Sequence, residues 1–202
     1  MIVLLALRVA HAELPPPDYD VTLTEAAGAE VARIGNELDA TTAETFAKRW
    51  MRTFGASARV TYELGLVWRL AGDDAHAMAY LQTAVELDPD LAAARYDRGE
   101  VRLTAGELPG AKEDFDAVVR LLPEAWPGWF RLAQLAGQAD DARGFERNLV
   151  KALRLGFSVP AVAQDPTWRG FRRDATIGPV LERLVLVYQG QQALDTLGDG
   201  PG

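Results

Sequence analysis

An all-α fold of repeated helical hairpins is predicted by three observations: a 34-residue period, helical spacing of apolar residues within each period, and stop-and-cap signals at a constant phase. Gly65 recurs as Gly99 and as the small Ala133, and Ala77 recurs as Ala111. Leu81, Phe115 and Leu149 hold one apolar phase, Leu87, Leu121 and Leu155 another, and Pro89 recurs as Pro123. Tyr62, Tyr96 and Phe130 place an aromatic ring at one phase three times. A period of this length marks a solenoid, because one unit cannot bury its apolar face without its neighbours.

Each unit reads as two helices. Residues 58–71 carry Val60, Leu64, Gly65, Val67 and Trp68 close to helical spacing, and residues 74–87 carry Ala77, Tyr80, Leu81, Ala84, Val85 and Leu87. Between them Gly72 stops one helix and the aspartates that follow cap the next. Asp88-Pro89-Asp90 ends the second helix, since the residue before proline is pushed out of the α region. The following unit repeats the scheme at Gly106 and at Leu122-Pro123-Glu124. Small residues at Gly65/Ala77 and Gly99/Ala111 let the paired helices approach closely, and Leu81 and Phe115 are expected to fill the space against the next pair.

These residues resemble the tetratricopeptide-repeat family, whose units carry Trp, Leu-Gly and Tyr in the first helix, then Ala, Phe, Ala and a closing Pro. The first unit shows Leu64-Gly65, Trp68, Ala77, Leu81, Ala84 and Pro89. The second has Gly99, Ala111, Phe115, Val118 and Pro123, with Arg98 in place of the usual leucine. The third has Trp129, Leu132, Ala133, Leu149 and Ala152, then departs: Phe145 stands at the small-residue position and Phe157 where proline is usual. The resemblance implies three repeats over residues 58–157 in an all-α tetratricopeptide-repeat helical-hairpin solenoid, with an N-terminal helix pair and a C-terminal capping helix.

The flanks are assigned around that frame. In residues 1–12, MIVLLALRVAHA, an apolar run precedes Ala10-His11-Ala12, the small-x-small form of a cleavage site, and Pro15-Pro16-Pro17 follows. This reads as a signal peptide and a periplasmic or secreted protein; the alternative is an apolar arm of a cytoplasmic one. Residues 13–57 form a linker and a helix pair at 24–36 and 42–54, with stripes at Val31, Ile34 and Leu38 and at Phe46, Trp50 and Phe54. Asp39-Ala40-Thr41-Thr42 supplies the loop and cap between them, and Glu44 faces the positive end of the second helix. Residues 158–188 form the cap: a short helix at 158–163, then Trp168 and Phe171 over the face of the last pair, then a closing helix at 177–187. Residues 189–202 are expected to be a flexible tail.

Composition narrows the function. The chain has 202 residues, a net charge of −8 and no cysteine. The negative charge argues against a nucleic-acid or anionic-membrane binder, and the missing thiols remove disulfides and thiolate metal sites. Of the two histidines, His11 lies in the leader and His76 has no second ligand at metal-site spacing, so neither a metal nor a cofactor is implied. The carboxylate pairs Asp73-Asp74 and Asp140-Asp141 fall where second helices start and read as caps. Ser57 and Ser158 have no nucleophile motif or base. Lys151, Arg154, Arg169, Arg172 and Arg173 read as solvated cations pairing with nearby acids. No catalytic residue is assigned, and the chain is read as a non-enzyme.

The resemblance implies that the first helices of successive units line a concave groove. Tyr62, Tyr96 and Phe130 share a phase there, with Leu66, Glu100 and Gln134 one turn later and Arg69 a turn beyond. Aromatic rings beside a few polar groups suit a peptide or partner helix. In the best-known groove of the family, lysine and asparagine grip a terminal carboxylate; Tyr62 and Leu66 hold those positions here, so that specificity is not implied. The expected function is a protein-binding scaffold. The alternative is an accessory subunit of an envelope-associated or enzymatic complex that uses its ends, such as the Trp168/Phe171 region, or its convex face.

Overall fold

The computed structural model describes residues 40–157 and 166–198. The leader at 1–12, the helix expected at 24–36 and the short helix expected at 158–163 lie outside the described residues. The described chain is all-α: α1 (Ala40–Phe54), α2 (Ala58–Leu70), α3 (Asp74–Leu87), α4 (Ala92–Thr104), α5 (Leu108–Leu121), α6 (Trp126–Gln138), α7 (Ala142–Arg154), α8 (Pro166–Arg173) and α9 (Gly178–Gly198). Helices α2/α3, α4/α5 and α6/α7 each pair as a hairpin. Two compact units divide the chain, one ending at Leu122 and one beginning at Pro123.

In the first unit, α1 lays Ala43, Phe46, Ala47 and Trp50 against Val60, Leu64, Val67 and Trp68 of α2 and Ala77 of α3. Phe46 and Trp50 stack at 5.1 Å, a consequence of their four-residue spacing, whereas Phe54 is exposed. Ala40 and Thr41 are already helical, ahead of the start expected at residue 42, and Lys48 donates to Glu44 at 2.5 Å on the surface of α1. A second core joins Tyr62 of α2 and Leu81, Ala84 and Val85 of α3 to Leu91 before α4 and to Ala93, Ala94 and Val101 on it. A Cβ on Gly65 would lie 2.8 Å from Leu81 Cγ, and one on Gly99 2.8 Å from Phe115 Cε1. Leu81 and Phe115 therefore fill the space above the glycine of their own hairpin, and Leu81 also reaches the next one.

The turns inside the hairpins follow one design. Gly72 and Gly106 take φ of +77° and +78°, and the next residue bonds back to close the helix: Asp73 N–H to Trp68 O at 3.0 Å, Glu107 N–H to Arg102 O at 2.8 Å. Asp73 then caps α3 by accepting from the His76 backbone N–H at 3.0 Å. That bond, followed by the His76 ring, holds its carboxyl below the usual aspartate range. In the third hairpin the same phase is held by Asp140, at φ +54°, and Asp141 caps α7 through Gly144 N–H at 2.9 Å. Only one aspartate of each pair is an N-cap; Asp140 does a glycine's work instead.

The second unit has one aromatic core. Phe130 of α6 stacks on Trp168 of α8 at 4.9 Å, and Phe145 of α7 meets Trp168 at 5.6 Å and Phe171 at 5.7 Å. Phe157, in the place of the proline, packs on Trp126 at 4.8 Å and Phe130 at 4.4 Å. Ile177, Leu181 and Leu184, at and along the start of α9, complete the core, and Arg183 pairs with Glu146 of α7 at 2.9 Å. Helix α9 continues to Gly198, through residues assigned above to the tail. No proline interrupts the chain between Pro179 and Pro201, and Gln191-Gln192-Ala193-Leu194 are good helix formers.

Candidate functional site

The candidate residues of the first unit sit on α2 and α4. Asp97, fully buried on α4, draws two groups of α2 to itself: it accepts from Tyr62 Oη at 3.1 Å and from Arg69 Nη1 at 2.7 Å. The α2 partners lie seven residues apart, two turns on one helix face, so a single carboxylate bridges both. Burial and the Asp97 charge raise the Tyr62 phenol well above its ordinary pKa. The Arg59 guanidinium lies 5.7 Å from the Tyr62 ring centre and is ion-paired with Glu63. Leu66 is half-buried and packs on the core that contains Tyr62. Tyr96 is buried with its edge toward Phe115 at 5.6 Å, and Glu100 is buried one turn further along α4.

The remaining two candidates belong to the second unit. Phe130 is buried in the aromatic core already described, and Gln134 accepts from Arg131 Nη1 at 2.8 Å. The three rings Tyr62, Tyr96 and Phe130 are 3%, 3% and 6% exposed. Leu66 and Arg69, not the aromatics, are the candidates that are half-buried rather than buried.

Sequence reasoning missed Asp97, the residue that organises the first-unit cluster. It follows Tyr96 directly, at the phase of Glu63 and Arg131, and the persistence of a charge there in three units was the available signal. A second polar cluster was also missed. Asp114 of α5, buried, accepts from Arg98 Nε at 3.0 Å and Nη2 at 2.5 Å and from Arg102 Nη1 at 2.8 Å, with Arg95 Nη1 at 3.8 Å. Arg98, in the leucine's place, also donates to Gln82 at 2.7 Å. The basic residues of the second unit depart from expectation as well: Lys151 reaches Glu124 at 3.4 Å, but Arg154, Arg172 and Arg173 are exposed without an acid partner among the described residues. His76 stacks on Trp68 at 4.3 Å and contacts Asp73 through Nδ1 at 2.7 Å.

Solved structures align with this arrangement of hairpins. YrrB, described as a TPR protein with an unusual peptide-binding site, shares 23% identity over 57% of this chain, with a TM-score of 0.52. The chain spans 60% of the length of that structure. MamA from Desulfovibrio magneticus shares 18% identity over 85% of this chain and 96% of its own, with a TM-score of 0.63. A tetratricopeptide repeat protein from Parabacteroides merdae shares 18% identity over 82% of this chain and 66% of its own, also at 0.63.

The chain has the tetratricopeptide-repeat fold.

No family model matches the sequence, and no curated protein matches it. In the third repeat Phe145 and Phe157 depart from the family pattern while the hairpin itself is kept. No described helix is long and apolar enough to cross a membrane.

Proposed function

We propose that the protein is a non-catalytic scaffold that binds a peptide or a partner helix along its first-helix faces. In the first unit that face is built from Tyr62, Leu66 and Arg69 of α2 and Tyr96 and Glu100 of α4; the second unit carries Phe130 and Gln134 of α6 on a face of its own. The observation that carries the reading is the Tyr62–Asp97–Arg69 cluster, which locks two successive first helices together and holds polar groups in place beside the half-buried Leu66. A pre-set arrangement of this kind lowers the ordering cost that a ligand must overcome. Peptide binding by YrrB, which has the same fold, supports the assignment. The buried rings serve as the floor of the surface, and ligand contact falls to Leu66 and the polar groups around it.

Panning a displayed peptide library on the full chain tests this reading. Leu66→Lys places a charge on the contact face while Tyr62, Asp97 and Arg69 are all kept. Captured sequences should bind the wild type at least about tenfold more tightly than the variant, equivalent to about 1.4 kcal/mol. Equal binding by a Leu66→Lys protein with unchanged thermal unfolding would remove the first-helix face from the account.

A further inference from the structure

We propose that the outward face of α7 is a docking surface for an acidic segment of a protein partner, a use independent of the first-helix faces. Arg143, Arg147, Lys151 and Arg154 lie at steps of four, four and three residues. At 3.6 residues per turn these steps place them within an arc of roughly 80° and along about 16 Å of helix. The opposite side of α7 is its buried side, carrying Phe145, Leu149, Ala152 and Leu153. The stripe therefore faces away from the core: its three arginines are exposed and Lys151 is half-buried.

Three further observations separate this stripe from an ordinary solvated face. First, it lacks internal neutralisation. Glu146, the sole acid of α7, lies off the stripe and is held by Arg183 at 2.9 Å. Arg143, Arg147 and Arg154 have no partner among the described residues, and Lys151 has only the exposed Glu124 at 3.4 Å. Like charges three and four residues apart destabilise a helix, and only Lys151 and Arg154, in the last turn, gain from the helix dipole. Second, the repeat does not require it: one period back the same phases hold Pro109, Glu113, Ala117 and Arg120, and two periods back Ala75, Ala79, Thr83 and Glu86. Third, it runs against the charge of the chain. Residues 123–202 hold nine basic and nine acidic side chains, so the whole net charge of −8 resides in residues 1–122.

The occupant follows from charge and shape. A row of cations on a rigid helix matches a row of carboxylates at comparable spacing, as on an acidic helix. A membrane is disfavoured because the apolar side of α7 is consumed by the core and cannot insert. Duplex nucleic acid is disfavoured by the net negative field. Among the described residues no helix offers a second copy a matching row: the acids at such steps are Asp97 and Glu100, both buried, and Glu113 and Asp116, of which Asp116 is paired with Lys112.

The test uses the full chain and a fluorescein-labelled, helix-forming peptide with glutamate at every third and fourth position. Its control carries glutamine at those positions. Anisotropy should show binding of the glutamate peptide alone, weakening as salt rises from about 0.05 to 0.2 M. Arg143→Gln/Arg147→Gln/Arg154→Gln should lose about tenfold in affinity with an unchanged circular-dichroism melt, as expected for exposed cations. Leu66→Lys should bind as the wild type does, so a failure of the first-helix reading and a failure of this one give different results. No binding of the glutamate peptide, equal binding by the triple variant, preferential capture by phosphatidylserine vesicles or duplex DNA, or self-association abolished by the triple variant would each overturn the proposal.

Discussion

Asp140 shows how a single residue can satisfy the repeat without obeying its pattern. At the phase of Gly72 and Gly106 the backbone must turn left-handed so that the next N–H can close the preceding helix, and Asp141 N–H does so on Ala136 O at 2.9 Å. Aspartate tolerates this conformation better than most L-residues but still less well than glycine. Replacing Asp140 by glycine removes that strain and adds chain entropy to the unfolded state, a partial offset. The net expectation is a gain of about 0.5 kcal/mol, seen as a higher urea midpoint at constant slope. Gly106→Ala should do the reverse and cost about 1 kcal/mol, since it installs a Cβ at φ +78°. A gain from Gly106→Ala would show that the turn does not require the left-handed geometry.

At the scale of elements, the third hairpin survives because one departure from the pattern is met by another. Phe145 stands where Ala77 and Ala111 let the other hairpins close, and Gly137 of α6 opens the space for it: a Cβ there would lie 3.1 Å from Phe145 Cδ2 and 2.8 Å from Phe171 Cε1. Gly137→Ala should therefore cost about 1–3 kcal/mol by overpacking, and Phe145→Ala about 3–5 kcal/mol. The two changes together should cost measurably less than their sum, because the cavity left by one receives the methyl of the other. Additive losses in a double-mutant cycle would mean that Phe171 alone demands the glycine. The α4/α5 hairpin adds a buried charge contact to its close packing. Asp114→Ala strands Arg98 in the core and should cost about 3–5 kcal/mol, whereas Asp114→Leu with Arg98→Leu, which restores the usual leucine, should recover most of the loss. These compensations were hard to read in advance because each couples residues on different helices. The hairpins themselves were legible: apolar phase, Gly72, Gly106 and Asp73 each act locally, and the helices fall where those residues place them.

For the whole molecule, apolar periodicity predicted which side chains are buried better than it predicted what the buried polar ones do. Tyr62 was legible as a ring in phase with Tyr96, but its phenol is governed by Asp97, a residue invisible to an apolar frame because it belongs to the next hairpin. That bond couples global stability to pH in a direction that can be worked out. In the unfolded chain the phenol titrates near its ordinary value of about 10, while in the folded chain burial and the neighbouring carboxylate hold it protonated to higher pH. The folded state then binds more protons than the unfolded one, so the stability due to Tyr62 is fully present below about pH 10 and is lost as pH rises toward the folded value. Tyr62→Phe removes both the hydrogen bond and the titration. At pH 8 the variant should be less stable than the wild type by about 1.5–3 kcal/mol, the range for a hydrogen bond to a charged group. Between about pH 9 and 11 the difference should shrink, because only the wild type carries this proton linkage while the other four tyrosines are common to both proteins. Urea unfolding of the pair across that range measures it, and a gap that stays constant or widens would show that burial and Asp97 do not hold Tyr62 protonated in the folded chain.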